Sequence, residues 1–211
     1  MNYFEQPSEN PSQPRNLVVL LHGLGSNGED MFSLVPFFAK ALPNCHFFSP
    51  NGIEKCDSIP FGYQWFNLDN RAPEVLEEEL FKSAPIIIKM IEDKLSELNL
   101  GWEDLILVGF SQGSMVSLYL ALSHSSRLCA VVSFSGALIL PRNIVNRGIP
   151  VCLIHGEEDD VLDFTNFILA QSKLYKIRST NIETLAIRHL KHTIDLSGIK
   201  FASDFLKKYA K

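Results

Sequence analysis

A serine flanked by glycines stands where a predicted strand gives way to a predicted helix. The segment Gly109–Gly113 reads GFSQG and has the form G-x-S-x-G, in which the serine is Ser111. It follows the apolar run 105–108 and opens a helical stretch that ends near Ser123. On such a sharp turn the hydroxyl points outward as a nucleophile, and larger side chains at the glycine positions would collide. The pattern is short, so the alternative is a solvated serine in a glycine-bounded turn.

A nucleophilic serine needs a base that takes its proton, and the chain offers six histidines. In hydrolases with a serine on such a turn, the order along the chain is serine, acid, histidine. This order leaves His189 and His192, which lie in the loop after the last predicted strand. His192 begins the segment 192–195 (HTID) and lies nearer the last helix, so we favour it as the base. His189 is the alternative, and a single loop histidine can also be a merely solvated side chain.

The acid that orients this base should lie between the two, at the carboxyl end of a strand. The apolar run 150–154 is followed by His155–Asp160 (HGEEDD), which holds four consecutive carboxylates. Like charges this close usually belong to a solvated loop. Their place directly after a buried strand still makes one of them the candidate partner of the histidine. Asp163 and Asp195 lie farther from the strand end and are weaker candidates.

Two backbone amides are candidates for stabilising the oxyanion of a tetrahedral intermediate. One is the N–H of Gln112, directly after the serine at a predicted helix N-terminus. The other is the N–H of Leu24, in the loop 22–28 (HGLGSNG), whose glycines let amides turn toward a ligand. The same loop matches a loose G-x-G-x-x-G pattern, and a dinucleotide cradle is therefore the alternative. It lacks the G-K-[ST] of a P-loop and an acidic residue about 20 positions on.

The elements that must position these residues alternate along the chain between apolar runs and amphipathic stretches. Strands are predicted at 17–21, 46–50, 105–108, 128–134, 150–154 and 182–187, and helices at 29–41, 74–98, 112–123, 161–178 and 197–209. Pro85 should kink the long helix or mark its true start, and Gly101 should stop it. Alternating strands and helices predict an α/β fold with a mostly parallel sheet.

Composition limits the class of protein. The 211 residues suit a single domain over 1–211, with 1–15 as a loosely ordered leader or an edge strand. Lys and Arg number 19 against 24 Asp and Glu, and the net charge of −5 disfavours nucleic-acid binding and a polybasic membrane anchor. No apolar run suits a transmembrane helix, no secretory signal is visible, and the four cysteines form no CxxC pair. We therefore expect a reduced, cytoplasmic protein without a zinc site.

Five segments, taken in order, resemble the acyl-protein thioesterase, cytosolic carboxylesterase and lysophospholipase family of α/β-hydrolases over about residues 16–209. They are 22–25 (HGLG), 64–66 (QWF), 109–113 (GFSQG), 155–159 (HG followed by Asp159) and 192–195 (HTID). The resemblance implies an α/β-hydrolase fold with Ser111, Asp159 and His192 as the triad, and with the amides of Leu24 and Gln112 as the oxyanion hole.

The resemblance also implies no metal and no cofactor. The expected substrate is a small acyl ester or thioester, including an acylated protein or a lysophospholipid, and the expected assembly is a monomer or homodimer. Because no insertion of about 40 residues separates the predicted elements, we expect a minimal core without a large lid. A serine peptidase or amidase, or a hydrolase fold kept as a non-catalytic binding module, remains the alternative.

The chain departs from the family pattern at three positions. Ser114 replaces a second glycine after the nucleophile, where it could affect packing of helix on strand. Asp160 replaces the proline after the acid, which leaves open which aspartate serves. Lys191 replaces a glycine before the histidine, and a cation beside the base would lower the pKa of that base.

A dense aromatic group precedes the long helix and is the candidate acyl-binding wall. Its members are Phe61, Tyr63, Trp65 and Phe66. Short loops must carry specificity in the absence of a lid, and aromatic rings offer apolar area for an acyl chain. The alternative is that these rings belong to the core.

Overall fold

A seven-stranded sheet with helices on both faces forms the protein in a computed structural model that describes residues 2–56, 59–177 and 181–211. In chain order the elements are β1 (Tyr3–Gln6), β2 (Asn16–Leu21), α1 (Gly28–Phe32), α2 (Val35–Ala39), β3 (Cys45–Pro50), β4 (Glu54–Lys55), β5 (Tyr63–Gln64), α3 (Pro73–Glu97), β6 (Leu105–Phe110), α4 (Gln112–Ser123), β7 (Ala130–Phe134), β8 (Val151–Gly156), α5 (Thr165–Lys176), β9 (Ile182–Ile187) and α6 (Leu196–Leu206).

The strand order is β1-β3-β2-β6-β7-β8-β9, and β4 pairs with β5 in a separate small hairpin. Only β1 runs antiparallel in the large sheet, against β3, while the other neighbouring strands are parallel. This is the α/β-hydrolase arrangement predicted from the sequence. In the described parts of the chain, no inserted helical domain lies between core elements, so the core is minimal and lacks a large lid.

Alternate residues of the central strands face opposite layers, because successive side chains of a strand point to opposite faces. Leu17, Val19 and Leu21 of β2 pack in the layer that holds α3, α4 and α5. Val18 and Leu20 pack in the layer that holds α1, α2 and α6. Since both faces are covered, the strand reads as a continuous apolar run, and its burial fixes the carboxyl end from which the loop 22–28 starts.

The helix predicted at 29–41 is two short helices. The Asn27 side chain caps α1 by accepting the Asp30 amide at 3.1 Å, and α2 carries a proline in its first turn. The strand alternative for the leader is the observed one, since β1 forms the sheet edge. The predicted ends at positions 1 and 178 lie outside the described residues.

The long helix α3 already runs from Pro73 and contains Pro85, so the alternative that Pro85 marks its true start is wrong. Pro85 has no N–H, so the carbonyl of Phe81, four residues earlier, loses its helical hydrogen bond, and Phe81 is an exposed residue. The helix stops before Asn99, which takes a left-handed φ of 54°, and Gly101 instead precedes a short 3-10 turn. Among the described residues, no helix is both long and apolar enough to cross a bilayer.

Candidate active site

Three side chains from separate loops meet at the carboxyl edge of the sheet. Ser111 follows β6, Asp159 follows β8, and His192 lies between β9 and α6. His192 Nε2 lies 3.0 Å from Ser111 Oγ, and His192 Nδ1 lies 2.8 and 3.0 Å from the two Asp159 carboxylate oxygens. A carboxylate only accepts, so Nδ1 carries the proton and Nε2 is free to accept the serine hydroxyl proton.

The backbone at the nucleophile candidate is strained. Ser111 has a φ of 53°, in the left-handed region that side chains rarely adopt, and it immediately precedes α4. A Cβ on Gly109 would come within 2.3 Å of the Gly113 carbonyl oxygen, and one on Gly113 within 2.0 Å of the Leu21 carbonyl oxygen. The two glycines therefore allow β2, β6 and α4 to close tightly around the turn that holds Ser111.

Asp159 is the inward member of the acidic run. Its side chain is fully buried and accepts the amides of Val161 at 3.0 Å and Leu162 at 2.8 Å. Burial would raise the pKa of Asp159, but hydrogen bonds from His192 and from these two amides hold that pKa below its ordinary value. The carboxylate is therefore ionised at neutral pH and fixed in place before any substrate arrives.

A buried histidine also reaches this carboxylate, and the sequence analysis gave it no part. His155 Nε2 lies 3.2 Å from Asp159 Oδ2 and donates to the Leu162 carbonyl at 2.8 Å. Burial lowers the pKa of His155, so the ring is neutral at neutral pH. The spacing of four residues between His155 and Asp159 was the available signal.

The competing candidates for the acid and for the base have other partners. Asp160 is exposed and pairs with Lys191 Nζ at 3.1 Å, and His189 is exposed and contacts Glu158 at 2.7 Å. Lys191, the residue before His192, is exposed and directs its ammonium to the Asp160 carboxylate. Asp160 and Lys191, the two residues that depart from the family pattern here, thus form a surface ion pair with each other.

The loop after β2 lies against the nucleophile. A Cβ on Gly23 would be 3.2 Å from Ser111 Cβ, and Leu24 shares a cavity wall with Ser111. Within the described residues, neither the Leu24 amide nor the Gln112 amide donates a hydrogen bond to another protein group. Both amides are thus available to an oxyanion beside Ser111.

The side chain of Gln112 holds the next segment. Its Oε1 accepts the Trp65 amide at 2.8 Å, and its Nε2 donates to the Phe66 carbonyl at 2.7 Å. Sequence reasoning assigned only the backbone of Gln112, because nothing in the local sequence shows which distant backbone a buried amide side chain will meet.

A cavity of about 760 Å³ opens beside Ser111 and His192. Its walls are mostly apolar and come from the loops after β7 and β8, from one face of α5 and from the start of α3. The apolar side chains include Leu68, Leu76, Met115, Leu138, Leu140, Leu162 and Leu169. An apolar cavity that begins at a serine hydroxyl suits an acyl chain. The described residues include no group of three or more His, Cys, Asp or Glu side chains placed to hold a metal ion.

The aromatic segment is not the wall of this cavity, so the prediction of an acyl-binding wall there is wrong. Trp65 and Phe66 are buried in the core, and Trp65 Nε1 donates to the His22 carbonyl at 2.9 Å. Phe61 is 95% exposed, and Tyr63 pairs through its backbone with Gly25 and Ser26. The segment contacts the loop 22–28 through these backbone hydrogen bonds and through the close approach of Gly62 to Gly25.

Comparison with known proteins agrees with this geometry. A family model described as Phospholipase/Carboxylesterase matches residues 6–210. Esterase YpfH of Escherichia coli K12 is 26% identical over 200 residues, which cover 94% of this chain and 85% of that protein. Acyl-protein thioesterase 1 homolog 2 of Dictyostelium discoideum is 28% identical over 205 residues, 91% of each chain. The crystal structure of esterase PE8 matches with a TM-score of 0.90 at 33% identity and 97% coverage of each chain.

Proposed function

Because the chain belongs to the phospholipase/carboxylesterase family of α/β-hydrolases, and is thus a hydrolase of acyl esters or thioesters, we propose that Ser111, His192 and Asp159 carry its reaction. Ser111 is the nucleophile, His192 the general base and acid, and Asp159 the group that fixes the histidine tautomer. The amides of Leu24 and Gln112 form the oxyanion hole.

The reaction runs through an acyl-enzyme. Ser111 Oγ attacks the acyl carbonyl carbon while its proton passes to His192 Nε2, and the carbonyl oxygen becomes an oxyanion at the two amides. His192 then gives that proton to the leaving alcohol or thiol, and the carbon–oxygen or carbon–sulfur bond breaks. Water deprotonated by the same nitrogen attacks the acyl group, and the acid product leaves with Ser111 restored.

One observation carries this proposal above the others. The chain of contacts from Asp159 through His192 to Ser111 is complete at 2.8 and 3.0 Å, and its serine end opens into an apolar cavity. An ordered base and a buried acid beside a strained serine are what nucleophilic catalysis requires. A solvated serine in a simple turn has no need of the buried carboxylate behind the histidine.

We place the acyl chain in the cavity rather than against the aromatic segment. The cavity is lined mostly by apolar side chains, so it binds hydrocarbon by removing it from water. Relatives of this chain are named acyl-protein thioesterases. We propose an acylated protein or a lysophospholipid as the class of substrate. Cys45, Cys129 and Cys152 are free thiols, which suits the reducing cytoplasm as the place of reaction.

The test compares wild-type protein with Ser111→Ala on matched p-nitrophenyl ester, acyl thioester and acyl anilide substrates. We expect the wild type to turn over ester and thioester, and Ser111→Ala to lose at least about 10³-fold in kcat. Turnover of the anilide above both others would favour the peptidase or amidase alternative. Equal turnover by wild type and Ser111→Ala would reject the nucleophile, and no turnover of any substrate would favour the binding module.

A further inference from the structure

A buried histidine that the reaction does not use begins the loop 22–28, which also carries the Leu24 amide. His22 is fully buried, and its ring bridges two backbone groups. His22 Nδ1 lies 2.7 Å from the Gly23 carbonyl oxygen, and the Gly52 amide donates to His22 Nε2 at 2.8 Å. A carbonyl only accepts and an amide only donates, so the ring is the neutral tautomer with its proton on Nδ1.

The bond to Gly23 controls a whole peptide plane. The carbonyl of Gly23 and the N–H of Leu24 belong to one planar trans peptide, so they point in opposite directions. When His22 Nδ1–H holds the Gly23 oxygen, the Leu24 N–H is turned to the other side. Gly23 lies beside the nucleophile, since a Cβ on it would be 3.2 Å from Ser111 Cβ, and Leu24 lines the same cavity as Ser111.

We infer that His22 is a positioning residue that holds the Gly23–Leu24 peptide in the orientation required for the oxyanion hole. The inference rests on the proposed function, since it assigns the Leu24 amide to the oxyanion. A flipped peptide would present the Gly23 carbonyl oxygen to the developing negative charge and repel it. Preorganised donors act because they need no reorientation during the reaction.

Further contacts around His22 support a fixed frame. The Ser26 amide also donates to the Gly23 oxygen, at 3.2 Å, and Trp65 Nε1 donates to the carbonyl of His22 itself. Because Gln112 holds the Trp65 amide, the frame connects both proposed oxyanion donors through buried groups. Trp65 therefore stabilises the loop 22–28 through a hydrogen bond, and this role accounts for its burial.

Neutrality of the ring is part of this role. Burial lowers the pKa of His22 to about 4, against an opposing effect of the Gly23 carbonyl. A protonated ring would present an N–H to the Gly52 amide and lose that bond. The ring therefore stays a donor to Gly23 and an acceptor from Gly52 over the whole neutral range.

Two substitutions of His22 test its two hydrogen bonds separately. In His22→Asn the side-chain amide occupies the place of Nδ1 and can donate to Gly23, but it does not reach Gly52. In His22→Gln the terminal oxygen reaches the place of Nε2 and can accept from Gly52, while the donor to Gly23 is lost. Both variants are measured for kcat and KM on a p-nitrophenyl ester and for thermal unfolding.

We expect His22→Gln to lose about 10-fold to 100-fold in kcat at nearly unchanged KM, since one oxyanion donor is misplaced. We expect His22→Asn to lose kcat only severalfold while its melting temperature falls further, because the buried Gly52 amide is left without an acceptor. Equal losses of kcat in the two variants, or a kcat that follows the melting temperature, would overturn the inference.

Nitrogen NMR of wild-type protein with ¹⁵N-labelled histidine keeps the inference testable if either variant fails to fold. The expected spectrum keeps the His22 ring protonated on Nδ1 and bare on Nε2 at every pH from 8 to 5. A His22 ring protonated on Nε2, or one that takes a second proton near pH 6.5, would reject the proposed tautomer. Loss of ester turnover in the wild type would instead reject the proposed function, whatever the tautomer.

Discussion

Asp159 and Asp160 are adjacent in the chain, but their surroundings differ completely. Asp159 is buried against His192 and two amides, while Asp160 is exposed and pairs with Lys191. Since the acid must stay ionised and hold the histidine tautomer, only Asp159 is placed for that work. Sequence position alone separates the two poorly, because both follow the same buried strand.

Substitution of each aspartate by asparagine tests this assignment. We expect Asp159→Asn to lower kcat on the order of 10⁴-fold, because an amide favours the wrong histidine tautomer. Asp160→Asn removes only a surface ion pair and should leave kcat within about twofold. The measurement is steady-state kinetics on one ester, and a reversal of the two results would exchange the assignments.

The two histidines of the same loop form a second matched pair. We expect His192→Ala to lose at least about 10³-fold in kcat, while His189→Ala, which removes an exposed contact with Glu158, should change kcat little. Circular dichroism of both variants controls for folding. A larger loss from His189→Ala than from His192→Ala would show that the base is misassigned.

His22 should also make the free energy of unfolding depend on pH. Its pKa is about 4 in the folded chain against an ordinary value of 6.5, and the carboxylate of Asp30 counteracts this lowering only weakly. Below pH 6.5 the unfolded chain binds a proton that the folded chain refuses, so the free energy of unfolding falls as pH falls toward 4. Above pH 6.5 this contribution is constant. The full effect is at most about 3 kcal/mol.

Urea unfolding at pH 7, 6, 5 and 4.5 measures this slope. We expect the wild type to lose stability more steeply below pH 6.5 than His22→Asn or His22→Gln, because the variants lack the titrating group. His155, whose pKa is also lowered by burial, contributes equally to all three proteins and so cancels in the comparison. Parallel slopes in the three proteins would mean that folding does not lower the pKa of His22.

At the scale of elements, Ser114, which stands where the family has a glycine, packs against Gly136, just beyond the end of the neighbouring strand β7. Ser114 Oγ lies 2.5 Å from Ser133 Oγ, and a Cβ on Gly136 would come within 2.0 Å of Ser114 Oγ. Ser114 thus packs α4 against β7 in space that position 136 leaves empty. Positions 114 and 136 should therefore depend on each other energetically.

A double-mutant cycle measures that dependence. We expect Gly136→Ala to destabilise the chain by about 1–3 kcal/mol, because the added methyl group overpacks the contact with Ser114. Adding Ser114→Gly should recover a large part of that loss, although Ser114→Gly alone is destabilising. Additive effects of the two changes in urea unfolding would contradict the packing that the structure shows.

The sequence predicts elements well where one local signal dominates. The central strands β2 and β6 are apolar runs found close to their predicted limits, and 182–187 is observed with the predicted limits. The break inside 29–41 falls at residues 33–34, directly before the helix whose first turn holds a proline, and the apolar pattern alone does not show it. The continuation of α3 through Pro85 is likewise not readable from the local sequence, because a proline inside a helical pattern usually ends or kinks the helix.

At the scale of the whole molecule, the candidate triad could be predicted but the acyl cavity could not. Motifs fix chain order, and parallel strands bring their carboxyl ends to one edge of the sheet. The cavity wall instead combines α5, α3 and the loop after β7, which are distant in sequence. Aromatic content suggested the segment 61–66, but none of its four aromatic rings lines the cavity.

A comparison of two exposed apolar residues tests where the acyl chain lies. Leu169 lines the cavity and Phe61 does not, although both are exposed. We expect Leu169→Ser to lower kcat/KM for an octanoyl ester about fivefold and to leave the acetyl ester unchanged, since it removes apolar contact area. Phe61→Ala should change neither substrate. Selective loss of octanoyl turnover in Phe61→Ala would return the acyl site to the aromatic segment.

The central claim is that Ser111 becomes covalently acylated, and mass spectrometry of the phosphonylated protein tests it most directly. The wild type is treated with an alkyl fluorophosphonate, which mimics the tetrahedral intermediate, and is then digested and mapped. We predict one adduct per chain, carried by Ser111, which is retained in Asp160→Asn, strongly slowed in His192→Ala and absent in Ser111→Ala. An adduct on another residue, or undiminished labelling of Ser111→Ala, would contradict the account.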